Sequence, residues 1–181
     1  MQLVIYFIYG VAILLFVKFL KEVISSRLFH ENELVNKAYE CGRTAEGFRR
    51  WNSELGFLNA SIHDEEGIKY LEEAINISKF QKNKIKKILI RVCIGLAEDY
   101  LQYDDFPHAN VISEKIIKYR KDLHDDIINK PTLSGGTVSE QLSPLIKELA
   151  NYYREKMPIL QNEQDRNEAI EISNKLILLM T

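Results

Sequence analysis

The sequence predicts an all-α protein in which a single N-terminal transmembrane helix is followed by a helical-hairpin solenoid or bundle. Three observations carry that expectation. The 181 residues include only eight glycines and four prolines, so signals for chain reversal are few. Leu, Ile, Glu, Lys, Asn and Ala dominate, which favours long helices, and period-two alternation is hard to find. The chain also opens on a long apolar run.

That run spans Leu3 to Val17, fifteen residues without a charge, and resumes around Lys18 and Lys21 with Phe19, Leu20, Val23 and Ile24. Roughly 20 residues cross a bilayer as a helix, and lysines near the end can snorkel, so a span over residues 2–20 is the expectation. Gly10 and Ala12 are the small residues that would let such a span pack closely on others. A cleaved signal peptide lacks its positive leading region here, and Ser25-Ser26 is a poor cleavage site. Lys18, Lys21, Arg27 and Lys37 follow the run and no charged side chain precedes it. The positive-inside rule then places the N-terminus outside and the remainder in the cytoplasm or an organelle matrix. Against this stand two sequons, Asn59-Ala60-Ser61 and Asn76-Ile77-Ser78, which matter only on a secretory face. The expected organisation is an anchor with its flank over residues 1–26 and a soluble helical domain over 27–181.

Behind the run, helical periodicity places helices near 31–60, 64–80, 82–102, 107–129, 139–157 and 165–180. Asp105 can cap a helix whose first turn holds Pro107, and Ser143 precedes Pro144 as a cap precedes a first-position proline. The segment 130–138, Lys-Pro-Thr-Leu-Ser-Gly-Gly-Thr-Val, is the clear loop.

The net charge of −2, from 24 basic and 26 acidic residues, gives no global pull towards lipid or nucleic acid, so any such binding needs a local patch. One exists. Lys79, Lys82, Lys84, Lys86, Lys87 and Arg91 interleave with Ile85, Ile88, Leu89, Val92 and Cys93 at helical spacing. Such a helix can lie on anionic lipid, face RNA, or be a core helix with a basic edge answered by Glu98, Asp99, Asp104 and Asp105. Lipid is favoured over nucleic acid.

Internal similarity is informative. Ala74-Ile-Asn-Ile77-Ser78, Ala109-Asn-Val-Ile112-Ser113 and Ala169-Ile-Glu-Ile172-Ser173 share an Ala-x-x-Ile-Ser core. Leu96-Ala97-x-x-Tyr100 precedes Ala109, and Leu149-Ala150-x-x-Tyr153 precedes Ala169 across a gap lengthened around Pro158. This order resembles a tetratricopeptide repeat over about half of the chain. The resemblance implies antiparallel helix pairs that cross at Ala97, Ala109, Ala150 and Ala169, and a surface for partner proteins.

Two shorter likenesses lead elsewhere. Leu133-Ser134-Gly135-Gly136 resembles the signature loop of ABC transporter ATPases, but no phosphate loop accompanies it. Tyr39-Glu40-Cys41-Gly42 resembles the loop after the first span of the respiratory complex I subunit 3 family. That family continues into further membrane helices, where this chain has Arg43, Arg49 and Arg50.

No chemistry is signalled. Cys41 and Cys93 lack partner spacing, and His30, His63, His108 and His124 sit beside acids without converging pairs. No nucleophile elbow occurs. No cofactor, metal or catalytic residue is expected. The functional expectation is a non-catalytic, membrane-anchored protein-protein interaction module, an accessory or scaffold subunit of a larger membrane complex. The alternative is a peripheral regulator that binds anionic lipid or RNA through residues 79–91.

Overall fold

A computed structural model describes residues 2–79, 81–123 and 137–180, with the side chains of 2–15, 138 and 139 left aside. Among the described residues the chain forms six α-helices: α1 Gln2–Arg49, α2 Glu54–Ile77, α3 Lys82–Gln102, α4 Phe106–Lys121, α5 Val138–Lys156 and α6 Glu163–Leu178. A short 3-10 turn, Met157–Ile159, extends α5.

The caps explain where most helices begin. Ser53 accepts the Gly56 amide at the start of α2, and Asp105 accepts the His108 amide at the start of α4. Thr137 and Glu140 form a reciprocal capping box on α5, and Asn162 accepts the Gln164 amide on α6. The last chain reversal uses the turn around Pro158 that the lengthened gap requires. By contrast, α3 starts at Gln81 with no side-chain cap bond and no acid in its first turn.

The helices pair in chain order, α1 with α2, α3 with α4 and α5 with α6. Successive pairs join through α2–α3, α3–α5 and α4–α6. Small residues set the first crossing: a Cβ on Gly67 would stand 3.3 Å from the Cys41 Cβ, and one on Gly56 would stand 2.6 Å from the Phe48 carbonyl oxygen. Leu71, Leu89, Leu96, Leu101, Ile116, Ile146, Leu149 and Leu176 are fully buried and run through the bundle as one core.

The expected N-terminal transmembrane helix is corrected: among the described residues no helix is long and apolar enough to cross a membrane. The run Leu3–Val17, with Gly10 and Ala12, lies mostly among side chains outside the described residues. The described continuation carries Lys18, Lys21, Glu22 and Arg27, and hydrocarbon does not accept that density of charge. Residue 26, the expected edge of the anchor and its flank, lies within α1, which is one helix of 48 residues.

Other boundaries move. The helix expected over 31–60 breaks at Arg50–Ser53, where Asn52 takes a positive φ of 45° and Ser53 caps α2. Pro144 lies inside α5 rather than at its start, since Thr137 supplies the better cap. Residues 124–136, which include His124 and most of the expected loop, lie outside the described residues.

Candidate functional site

The repeat residues come together as packing. Leu96, Ala97 and Tyr100 of α3, Ala109 of α4, Leu149, Ala150 and Tyr153 of α5, and Ala169 of α6 are all buried. The alanines let neighbouring backbones approach, and two serines stitch the same seams. Ser113 and Tyr153 share a buried hydroxyl hydrogen bond at 3.1 Å, and the Ser173 hydroxyl donates to the Ala150 carbonyl at 3.1 Å. The first Ala-x-x-Ile-Ser copy sits differently. Ala74 is in the last turn of α2 and Ser78 is its C-cap, where its hydroxyl accepts the Gln81 amide.

The basic stretch divides. Lys86 is buried and donates to the Asp122 carbonyl at 3.2 Å, so it ties α3 to α4. Lys87 is half-buried and burial lowers its pKa, while Arg91 donates to Gln141 of α5 at 2.9 Å. Lys79, Lys82 and Lys84 are exposed and have no acidic partner among the described residues. The acids considered as their counter-charges stand at the far end of α3 with other partners: Asp99 with Arg49, Asp104 with Lys156, and Asp105 with His108.

What sequence reasoning missed is the face made by α1, α3 and α5. An open groove of about 500 Å³ runs between α1 and α3. Leu71 of α2 lines it together with Ile88 and Val92 of α3, and Tyr39, Arg43 and Arg50 stand on α1. A second groove of about 650 Å³ lies between α3 and α5 and is lined by Glu98, Glu148 and Glu155 with Lys147. The positions of α3 that line the two grooves, Ile88, Val92, Glu98, Asp99 and Gln102, share one side of that helix.

Between the grooves Arg49 bridges α1 to both neighbours. Its Nε donates to Asp99 Oδ2 at 2.6 Å, and Nη2 contacts the carboxylates of Asp64 and Asp99. Burial pushes Asp64 up to about 6 although Arg49 pulls the other way. Glu98 is pushed up to about 7, first by burial and then by repulsion from Glu148 and Asp99.

Glycines mark the same face. At Gly42 and Gly47 of α1 and Gly95 of α3, a Cβ would meet nothing within 4 Å. Glycine in a helix interior costs about 1 kcal/mol relative to alanine, and nothing among the described residues requires it at these places.

Burial favours the protonated form of both thiols. Cys93 is buried and raised to about 12 by that burial, and Cys41 is also raised. Among the described residues no group of three or more His, Cys, Asp or Glu stands close enough to hold a metal ion. His63 stacks on Phe48 and His108 bonds Asp105. The complex I-like tetrapeptide is not a loop but a stretch of α1. Both sequons lie on α2, where Ser61 and Ser78 are buried. Comparison with protein-family models, curated proteins and solved structures found no match.

Proposed function

We propose that the chain is a non-catalytic protein-protein interaction module whose α1–α3–α5 face receives a segment of a partner, as an accessory or scaffold subunit would. The observation that carries this reading is the α1–α3 groove, with apolar Leu71, Ile88 and Val92 inside and Arg43 and Arg50 on its rim. An apolar interior with a charged rim is the pattern of a recognition surface. The unexplained glycines support it, because a helix without side chains at Gly42 and Gly47 allows a guest to approach its backbone. The tetratricopeptide-like order of the hairpins agrees with this reading, since stacked helix pairs offer such faces. The guest suited to the groove is an amphipathic segment with an apolar stripe for α3 and carboxylates for Arg43 and Arg50.

The test is site-specific photo-crosslinking in the native cell. A crosslinker at Tyr39 or Val92 should capture the same polypeptide, a crosslinker at exposed Ile62 on α2 should not, and Gly42→Leu should abolish the capture. Capture at Ile62 alone, or capture indifferent to Gly42→Leu, refutes the proposal.

A further inference from the structure

The near-zero net charge hides a separation of charge along the bundle. His30 of α1 lies 3.9 Å from Glu73 near the end of α2, and Lys86 near the start of α3 bonds Asp122 after the end of α4. The middle of α1 around His30, the α2–α3 turn and the end of α4 therefore share one end of the molecule. Exposed Lys79, Lys82 and Lys84 stand there without acidic partners among the described residues, and exposed Lys118 and Lys121 close α4 beside them. Asp104, Asp105, Glu163 and Asp165 begin or precede α4 and α6 at the opposite end.

Two further features sit at the basic end. The start of α3 has no side-chain cap and no acid in its first turn, so its positive helix end adds to the lysines instead of being answered. From residue 16 to residue 30, α1 has no buried side chain. It carries Phe16 at 62%, Phe19 at 61% and Phe29 at 73% exposure, with Leu20 and Ile24 also exposed, among Lys18, Lys21 and Arg27. In water that is a large apolar surface left uncovered by the described residues.

We infer that this end of the bundle docks on the surface of an anionic lipid bilayer, with the lysines of the α2–α3 turn at the headgroups and the exposed apolar side chains of α1 at the boundary below them. Charge complementarity selects an anionic surface. The adjoining apolar side chains select lipid over a free phosphate or RNA, because a bilayer removes that surface from water while neutralising the lysines and those two do not. Acids at the far end repel the same surface and fix which end faces it. This contact is at the membrane face, and it goes beyond the groove reading without depending on it.

The experiment uses the full chain with phosphatidylcholine vesicles that carry about one-third phosphatidylserine, compared with pure phosphatidylcholine. Amine labelling read by mass spectrometry should fall several-fold at Lys79, Lys82 and Lys84 on the anionic vesicles and not on the neutral ones, while Lys147 on the groove face stays reactive. Each exposed lysine near such a surface strengthens partition roughly fivefold, so K79E/K82E/K84E should weaken binding by on the order of a hundredfold with helical circular dichroism unchanged. Equal labelling on both vesicles overturns the inference, and so does equal partition of the variant. Protection by a single-stranded RNA with none by vesicles also overturns it and points to nucleic acid instead.

Discussion

Replacing Gly42 and Gly95 by alanine should make the protein more stable. A Cβ at Gly42 or Gly95 meets no atom within 4 Å, so the substitution introduces no clash and removes only the entropy that glycine gives the unfolded chain. Helix propensity then predicts a gain of about 1 kcal/mol at each, and about 2 kcal/mol for the pair, since they sit on separate helices. Gly47 lies in the last turn of α1, where fraying reduces the gain. Gly56→Ala is the built-in control. Its Cβ would fall 2.6 Å from the Phe48 carbonyl oxygen, which cannot be avoided without moving α1 from α2, so a loss of about 1–3 kcal/mol is expected. Urea unfolding of the full chain followed by circular dichroism reads both effects. With a slope of about 2 kcal/mol/M, Gly42→Ala/Gly95→Ala should raise the midpoint by about 1 M without changing the slope. A lowered midpoint for the pair would show that the groove walls touch something the structure leaves out, and the reasoning from open space would fail. A raised midpoint together with lost photo-crosslinking would show that stability has been set aside for recognition at this face.

Three further outcomes are expected. Arg49→Met leaves Asp64, 4% exposed, without its cation and should cost about 3–5 kcal/mol in urea unfolding at pH 8. The loss should shrink as pH falls towards 6, because without Arg49 burial holds the Asp64 proton at a higher pH than in the wild type, and a loss independent of pH contradicts the assignment. Tyr153→Phe removes a buried hydroxyl bond and should cost about 1 kcal/mol, with Ser113→Ala adding little on top; full additivity would show that the two hydroxyls do not interact. Glu98 faces Glu148, Glu155 and Lys147 of α5 and neighbours Asp99, which Arg49 holds. Its folded pKa of about 7 lies above the ordinary 4.5, so the folded state binds the extra proton between those values. Stability from this group is present at low pH and is lost as pH rises through 7. Glu98→Gln should therefore exceed the wild type in thermal stability at pH 8 and lose that advantage by pH 5, and the opposite order would remove the account.

Much of the helical order was legible because caps and periodicity are local. The start of α3 at Lys82 and its end at Gln102 coincide with the expected range, and Asp105 caps α4 as its sequence suggests. The expected ranges 31–60 and 64–80 put the break between α1 and α2 too late, although Asn52-Ser53-Glu54 holds a residue tolerant of positive φ followed by a cap and an acid. The length of the opening apolar run is close to bilayer thickness. A length rule does not reveal that the same helix continues into the bundle, where Leu34, Ala38 and Ala45 are buried on α2. The face that carries the proposed function was not legible at all. Val92 and Glu98 read as ordinary positions on an amphipathic helix until α1 and α5 come to flank them, and a glycine in a helix pattern reads as a weak former until the space beside it is seen to be empty.

The unbroken run of α1 through residues 16 to 30 couples rotation to length. Each residue of a helix advances about 1.5 Å and turns about 100°, so deleting a single residue in that stretch would swing the groove around by more than a quarter turn relative to whatever grips the helix upstream. Removing seven residues, about two full turns, would restore the phase and only shorten the standoff by about 10 Å. Deletions that step through one heptad therefore separate a mere spacer, indifferent to register, from an indexed shaft whose output recovers only at whole turns.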